Sequence, residues 1–347
     1  MKRILLILLV SCSCSMAWAQ KEYETPYSTK SLAGQHVSEV EATTSGGNVS
    51  VESVGAGQEK IEVFIWPSNR NKGASVSKEE IQKRLDEYYD LSVEVAGNKL
   101  TATAKPRRQN MNWKNGLSIS FRIYTNKNIV THLTTSGGNI NLKAITGQQR
   151  VTTSGGNINI DNVKGKLKGT TSGGNIDVKD SDDDIDLTTS GGNIEANNCT
   201  GKVELSTSGG DLRLVNLNGD IKATTSGGNV RANDIKGDLN AHTSGGNVDM
   251  AGLACNLTTG TSGGDIKVAI TTAGKFIKIG NSGGKIDLQL PAGKGYDMDL
   301  SADKIKADDL GNFKGKIDEK EINGQVNGGG TQVKVNANSG KLVLTFK

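Results

Sequence analysis

The sequence predicts an all-β fold: a single-stranded β-solenoid (β-helix) of 18-residue rungs, with a strand-rich N-terminal region containing one short helix. Three observations carry this. Ser-Gly-Gly begins at Ser136, Ser154, Ser172, Ser190, Ser208, Ser226, Ser244 and Ser262, always 18 residues apart. After each triplet, apolar residues stand two apart, as on a strand with one buried face. The chain also holds 45 Gly, only 4 Pro and 4% aromatics, which excludes collagen, Pro-rich linkers and a large aromatic core. A fixed short period is the signature of stacked repeats.

With each Ser as column 1, column 5 holds Ile140, Ile158, Ile176, Ile194, Leu212, Val230, Val248, Ile266 and Ile286. Column 7 is also apolar, from Leu142 to Leu288, and defines the first strand with column 5. Column 10 is often apolar, as at Ile145 and Leu217. Columns 14 and 16, such as Val203 and Leu205, define a second strand. Gly192-x-Ile194-x-Ala196 and Gly201-x-Val203-x-Leu205 lie nine residues apart, so each rung divides into two similar halves. Gly serves turns that need positive φ or close backbone approach. Column 4, Asn or Asp, predicts a ladder of stacked amides that steadies a turn. The sharper reading of that ladder is an array that binds a lattice such as ice or a glycan. Thr-Thr before most Ser positions suits strands.

Other repeats fail specific tests. Leucine-rich repeats are longer, and propeller blades need about 40 residues. The apolar columns do not recur every six, as a hexapeptide helix requires. Ser-Gly-Gly-Asn-Ile is not the Gly-Gly-x-Gly-x-Asp of calcium-binding nonapeptides, so no calcium ladder is expected.

The N-terminus reads as an export signal over residues 1–19. Lys2 and Arg3 precede the apolar run Ile4 to Val10, and Ala17-Trp18-Ala19 is a small-x-small cleavage site. The competing reading is a lipobox, Leu9-Val10-Ser11-Cys12, with a lipid anchor at Cys12. Cleavage lowers the net charge from +4 to +2, which makes nucleic acid a poor partner. It leaves Cys199 and Cys255, three repeats apart, with no disulfide expected. No later segment is apolar enough to span a membrane.

Residues 20–54 are expected to form strands and one isolated repeat, Thr43-Thr44-Ser45-Gly46-Gly47-Asn48-Val49. Residues 55–133 read as an α+β insertion that caps the solenoid. Lys60 to Trp66 alternates like a strand. Ser77-Lys78-Glu79-Glu80 is a capping box before a helix with Ile81, Leu85, Tyr88 and Tyr89 on one face. Leu91–Val95 and Lys99–Ala104 form a hairpin at Gly97-Asn98, and Leu117–Tyr124 is another strand. Residues 134–290 are the solenoid, including a ninth triplet at Ser282. Residues 291–347 form its C-terminal end, where Thr331–Val335 and Lys341–Phe346 are expected to close it.

Candidate chemistry is sparse. His36, His132 and His242 are scattered and lack neighbours at metal-ligand spacing. Asp180-Ser181-Asp182-Asp183-Asp184-Ile185-Asp186 replaces one Gly turn. It reads as a solvated acidic turn, with a held Ca²⁺ as the sharper alternative. Acid–base catalysis on polysaccharides needs acids clustered across rungs, and the neighbours offer only Asp161, Asn197 and Asn198. Lys105-Pro106-Arg107-Arg108 with Lys114 is a basic hairpin end. No Phe, Tyr or Trp lies between Tyr124 and Phe276. Any partner-binding hot spot therefore falls on Trp66, Trp113, Tyr88, Tyr89 or Tyr124, although packing within the N-terminal region is the favoured reading of them.

The recurring Thr-Thr-Ser-Gly-Gly-Asn-Ile units, after a signal and a strand-rich region, resemble the bacterial putative-adhesin family of unknown function and the auto-transporter-adhesin-like head repeats. The resemblance covers about residues 40 to 347. It implies an exported, β-helical cell-envelope protein in the periplasm, on the outer-membrane surface or outside the cell, and brings no catalytic residues. The expectation is a non-enzymatic adhesion or interaction protein with an envelope or extracellular protein or glycan as partner, without catalytic residue, cofactor or metal. A structural or stress-related envelope scaffold is the alternative, and a carbohydrate-active solenoid enzyme the second.

Overall fold

The computed structural model describes residues 25–68, 76–108 and 115–347. The export signal, Cys12, Trp113 and Lys114 lie outside the described residues. Among the described residues the fold is nearly all β, with one helix, Lys78–Tyr88.

The unit beginning at Ser172 shows how a rung is made. Ile176–Lys179 forms one strand, the chain turns at Asp180 and Ser181, and Asp182–Thr189 forms the second strand before Ser190. Successive rungs pair parallel in an 18-residue register: Ile176 faces Ile194, and Ile185 faces Val203. The long strands stack into one face and the short strands into the other. Columns 5, 7, 10, 14 and 16 fill the space between them, as Ile194, Ala196, Cys199, Val203 and Leu205 do at 0% exposure. Each corner has its own backbone device. Column 9 takes positive φ at Asn162, Asp180, Asn198, Asn216 and Asp234, a conformation short polar side chains tolerate.

Two polar ladders lock the Ser-Gly-Gly corner. Column 18 threonine points inward and is buried at every rung from Thr135 to Thr261. The Thr189 hydroxyl donates to the Gly174 carbonyl one rung back (2.8 Å) and accepts from the Gly192 N–H (3.3 Å). At column 4, Asn Oδ1 accepts the backbone N–H of the next rung: Asn193 N–H donates to Asn175 Oδ1, and Asp211 N–H to Asn193 Oδ1, both 2.8 Å. The expected amide-to-amide stacking is thus largely replaced by side chain-to-backbone bonds. An acceptor oxygen is all they require, which is why Asp211 and Asp265 substitute for Asn.

The ends are interleaved. The early rung, strands Glu39–Thr44 and Val49–Ser53, lies directly under the Ser136 rung, with Val49 facing Ile140 across 91 residues of sequence. On its other side lie Lys99–Pro106 and Leu117–Thr125, a rung with no Ser-Gly-Gly. Antiparallel strands finish this end: Tyr89–Ala96 on Lys99–Pro106, Lys60–Pro67 on Leu117–Thr125, and Ser28–Ser31 on Lys60–Pro67. The helix, capped by Ser77, places Ile81 and Leu85 in the core. At the other end Thr331–Phe346 is a single long strand. It inserts between the Ser282 rung and Tyr296–Ala307 rather than closing the stack. Closure falls to the antiparallel strands Glu321–Val326 and Phe313–Ile317.

Candidate functional site

A hollow with an aromatic wall lies on the outer face of the N-terminal end, about 520 Å³ in volume. Its floor is Leu117–Thr125, whose alternation turns Leu117, Ile119, Phe121 and Ile123 inward and Ser118, Ser120 and Arg122 outward. The antiparallel neighbour sets Trp66 opposite Ser118 and Phe64 opposite Ser120. On the other side, the early rung contributes Gly46, Asn48 and Ser50. Small serines between taller walls make the groove.

The floor is held firmly. Ser118 Oγ–H donates to the Gly46 carbonyl (3.1 Å), and Ser120 Oγ accepts from Asn48 N–H (2.9 Å). The Arg122 guanidinium lies 4.5 Å from the Phe64 ring centroid, which leaves Phe64 only 3% exposed although it points outward. Asn141 closes the groove and is shared with a second hollow of about 450 Å³ that reaches Asp177. There Asn159 Nδ2 donates to Asn141 Oδ1 (2.7 Å), and burial together with Glu195 raises the Asp177 carboxyl.

The sequence candidates separate. Trp66 walls the groove. Tyr88, partly buried at the helix end, accepts from Asn115 Nδ2 (3.1 Å), and its hydrogen bond to Glu87 raises its phenol. Tyr89 is buried; its hydroxyl accepts from Leu117 N–H (2.8 Å) and donates to Leu117 O (3.2 Å), which fixes the helix to the groove floor. Packing therefore accounts for Tyr89, which offers a partner no surface. Tyr124 sits beneath Lys60, 5.0 Å from the ring centroid. Sequence reasoning missed Arg122, Ser118 and Ser120, because only the antiparallel register brings them to Trp66. The alternation of Leu117–Tyr124 was their one local signal.

The acidic run is a rung-to-rung ion-pair ladder. Lys164, Lys166 and Lys168 lie in register with Asp182, Asp184 and Asp186, with N···O distances of 2.9, 4.0 and 2.7 Å. Thr200 Oγ1 donates to Asp182 (2.6 Å), and this bond together with Lys164 lowers the Asp182 carboxyl. Asp183 takes φ 88° in the Gly column and accepts from Gly165 N–H (2.9 Å). Among the described residues no group of three or more His, Cys, Asp or Glu side chains is placed to hold a metal ion. Cys199 and Cys255 are free and buried, and burial pushes their thiols up to about 11 and about 12. Arg107 at the basic hairpin end pairs with Asp90 (2.8 Å). No helix among the described residues is long and apolar enough to cross a membrane.

Residues 178–345 match the Toastrack DUF4097 family. The matched stretch is a β-solenoid, as the repeats predict. No curated protein matches the chain. Among solved structures, a putative adhesin from Bacteroides fragilis is 13% identical, with 92% of this chain and 96% of that chain covered and a TM-score of 0.24. A putative cell adhesion protein from Clostridium sporogenes is 11% identical, with 92% and 98% covered and a TM-score of 0.18. The groove stands outside the matched residues, where the segment between the early repeat and the Ser136 repeat meets both.

Proposed function

We propose that this protein is a non-enzymatic, exported adhesion or interaction module that holds its partner at the N-terminal end of the solenoid. One observation carries the reading: Trp66 walls an open groove whose floor is fixed by hydrogen bonds between rungs. Rigid supports and an aromatic anchor suit recognition. The lysine ladder beside Asp182, Asp184 and Asp186 supports the non-enzymatic reading, since carboxylates held in ion pairs are poorly placed for proton transfer. Export rests on Lys2, Arg3, the apolar run and Ala17-Trp18-Ala19.

The test is binding of purified protein lacking residues 1–19 to whole cells and extracellular matrix, with wild type against Trp66→Ala. Binding that drops at least tenfold in the variant, with unchanged circular dichroism, supports the reading. Binding that Trp66→Ala leaves intact would move the site elsewhere, and no binding at all would favour a scaffold. Proteolysis of intact cells tests surface display, since complete protection would restrict the protein to the periplasm.

A further inference from the structure

We propose that the Arg122 end of the groove is a carboxylate site, and that the partner is held there by a carboxylate group. The second clause rests on the reading of the N-terminal end as the binding end. The first stands on the side chains themselves.

Donors gather at this end, and their acceptors are already used inside the protein. Asn139 N–H can only donate, so the Asn48 side-chain atom that meets it at 2.8 Å is the oxygen. That leaves the Asn48 amide N–H₂, which has no partner among the described residues. Ser120 Oγ accepts from Asn48 N–H, so its own hydroxyl proton is still available to donate. Asn141 Oδ1 accepts from Asn159 Nδ2 (2.7 Å), which leaves a second amide N–H₂. These three side chains line the hollow together with Arg122. Ser118, whose Oγ–H is committed to the Gly46 carbonyl, still accepts, but it stands at the other end, opposite Trp66.

Arg122 supplies the charge. Its guanidinium stacks on Phe64, 4.5 Å from the ring centroid. Stacking covers one face of the plane and leaves the N–H edge, the fork that matches the two oxygens of a carboxylate. Glu62 faces Arg122 in register, but its carboxylate pairs with Lys60 at 2.7 Å and is only 12% exposed. Arg122 is exposed, and no ion pair to it is present among the described residues. Among the described residues no Asp or Glu lines the hollow to compete for the donors, and no Lys or further Arg lines it. A single positive charge suits a monoanion and would leave a sulfate or phosphate dianion half neutralised. Strand addition is disfavoured, because the floor strand is paired on both sides, to Lys60–Pro67 and to Val49–Ser53. Recognition therefore falls to these side chains.

The experiment is NMR titration of the protein lacking residues 1–19 with sodium acetate and, separately, sodium sulfate, at an ionic strength held constant with chloride. Acetate should give saturable shifts of the Arg122 Nε–H and Asn48 N–H₂ signals. Arg122→Gln should weaken acetate binding at least tenfold. Asn48→Asp should do the same with the fold intact, because Asp keeps the acceptor for Asn139 N–H, as Asp211 does for Asn229 N–H, while a charged acceptor replaces the donor. Asn193→Asp, the same exchange on a distant rung, should leave acetate binding unchanged. On whole cells, Arg122→Gln should lower binding at least tenfold. No saturable acetate shift, or sulfate binding more tightly than acetate, would overturn the carboxylate assignment; the binding-end reading would survive if Trp66→Ala still abolished cell binding. If acetate binds through Arg122 but cells are bound equally by wild type, Trp66→Ala and Arg122→Gln, the binding-end reading fails and the partner clause falls with it.

Discussion

Two neighbouring glycines, Gly191 and Gly192, should respond to alanine in opposite ways. Neither takes a positive φ, so the difference is one of space alone. A Cβ on Gly192 would lie 2.0 Å from the Gly174 carbonyl oxygen, 2.5 Å from its carbon and 2.8 Å from Asn175 N, all backbone atoms. Carbon–oxygen contacts settle near roughly 3.3 Å, so the rungs would have to part by more than about 1 Å of their ~4.8 Å spacing. That would break the Thr189 bonds on both sides and open the core beneath Ile194. With each lost buried hydrogen bond costing ~1–3 kcal/mol, Gly192→Ala should cost about 4 kcal/mol. A Cβ on Gly191 meets nothing closer than Ser172 O at 3.6 Å and Gly173 Cα at 4.0 Å. Gly191→Ala should therefore be neutral, or stabilising by up to ~1 kcal/mol through the unfolded chain. Urea titration followed by circular dichroism measures both, with the slope checked for a change in cooperativity. Gly209 and Gly210 repeat the contrast one rung on, at 3.7 and 1.9 Å. Equal midpoints for Gly191→Ala and Gly192→Ala would refute the close-approach argument.

The threonine pair gives a similar contrast. Thr189→Val should cost ~1–3 kcal/mol, because the Gly174 carbonyl and Gly192 N–H lose their buried partner, whereas Thr188→Val should be near neutral by the same titration. Asn193→Asp should keep the acceptor for Asp211 N–H and be tolerated, while Asn193→Ala should cost ~1 kcal/mol; equal losses would mean the amide N–H₂ matters. The Asp182 carboxyl is lowered from 3.8 in the folded chain, so its contribution is present above that pH and is lost as pH falls through the folded value. Stability measured down a pH series should accordingly fall less steeply on the acid side in Asp182→Asn than in wild type. An unchanged acid limb would show that Lys164 and Thr200 contribute nothing to the coupling.

Legibility in the sequence tracked how local the cause was. Columns 5, 7, 10, 14 and 16 were readable because the period holds at 18 from Ser136 to Ser262 and every apolar side chain meets its own kind in the next rung. The inward Thr of column 18 was hidden because Thr188 and Thr189 look alike; counting two on from Leu187 would have separated them. Asp211 and Asp265 in the Asn column hinted that only an acceptor was needed. Lys164, Lys166 and Lys168, one period before the acidic run, were the missed sign of its ion pairs. Strand order at both ends had no such local sign, since Val49 meets Ile140 across 91 residues. Only the isolated repeat copy Thr43-Thr44-Ser45-Gly46-Gly47-Asn48-Val49 pointed to it. The groove was half legible. Trp66 was among the aromatic candidates, but Arg122 and the serines become neighbours through a long-range antiparallel register.

The interleaved ends tie stability and the groove to one device. In a plain solenoid the last rung has a single neighbour and is the first to fray. Here the early rung and Thr331–Phe346 each have a rung on both sides, and the outermost rungs are covered by antiparallel strands. Lysines attend the edges left over: Lys30 Nζ donates to the Val93 carbonyl (3.0 Å), and Lys314 and Lys316 stand on Phe313–Ile317. Lysines on edges discourage end-to-end strand pairing between molecules. A repeating surface offers the same few groups at every rung and cannot single out one place for a partner. The groove lies where the repeat is broken, because threading the chain past the early rung brings Gly46–Ser50, Phe64–Trp66 and Ser118–Arg122 together. The segment that closes the solenoid thus also makes one face of it unlike all the others.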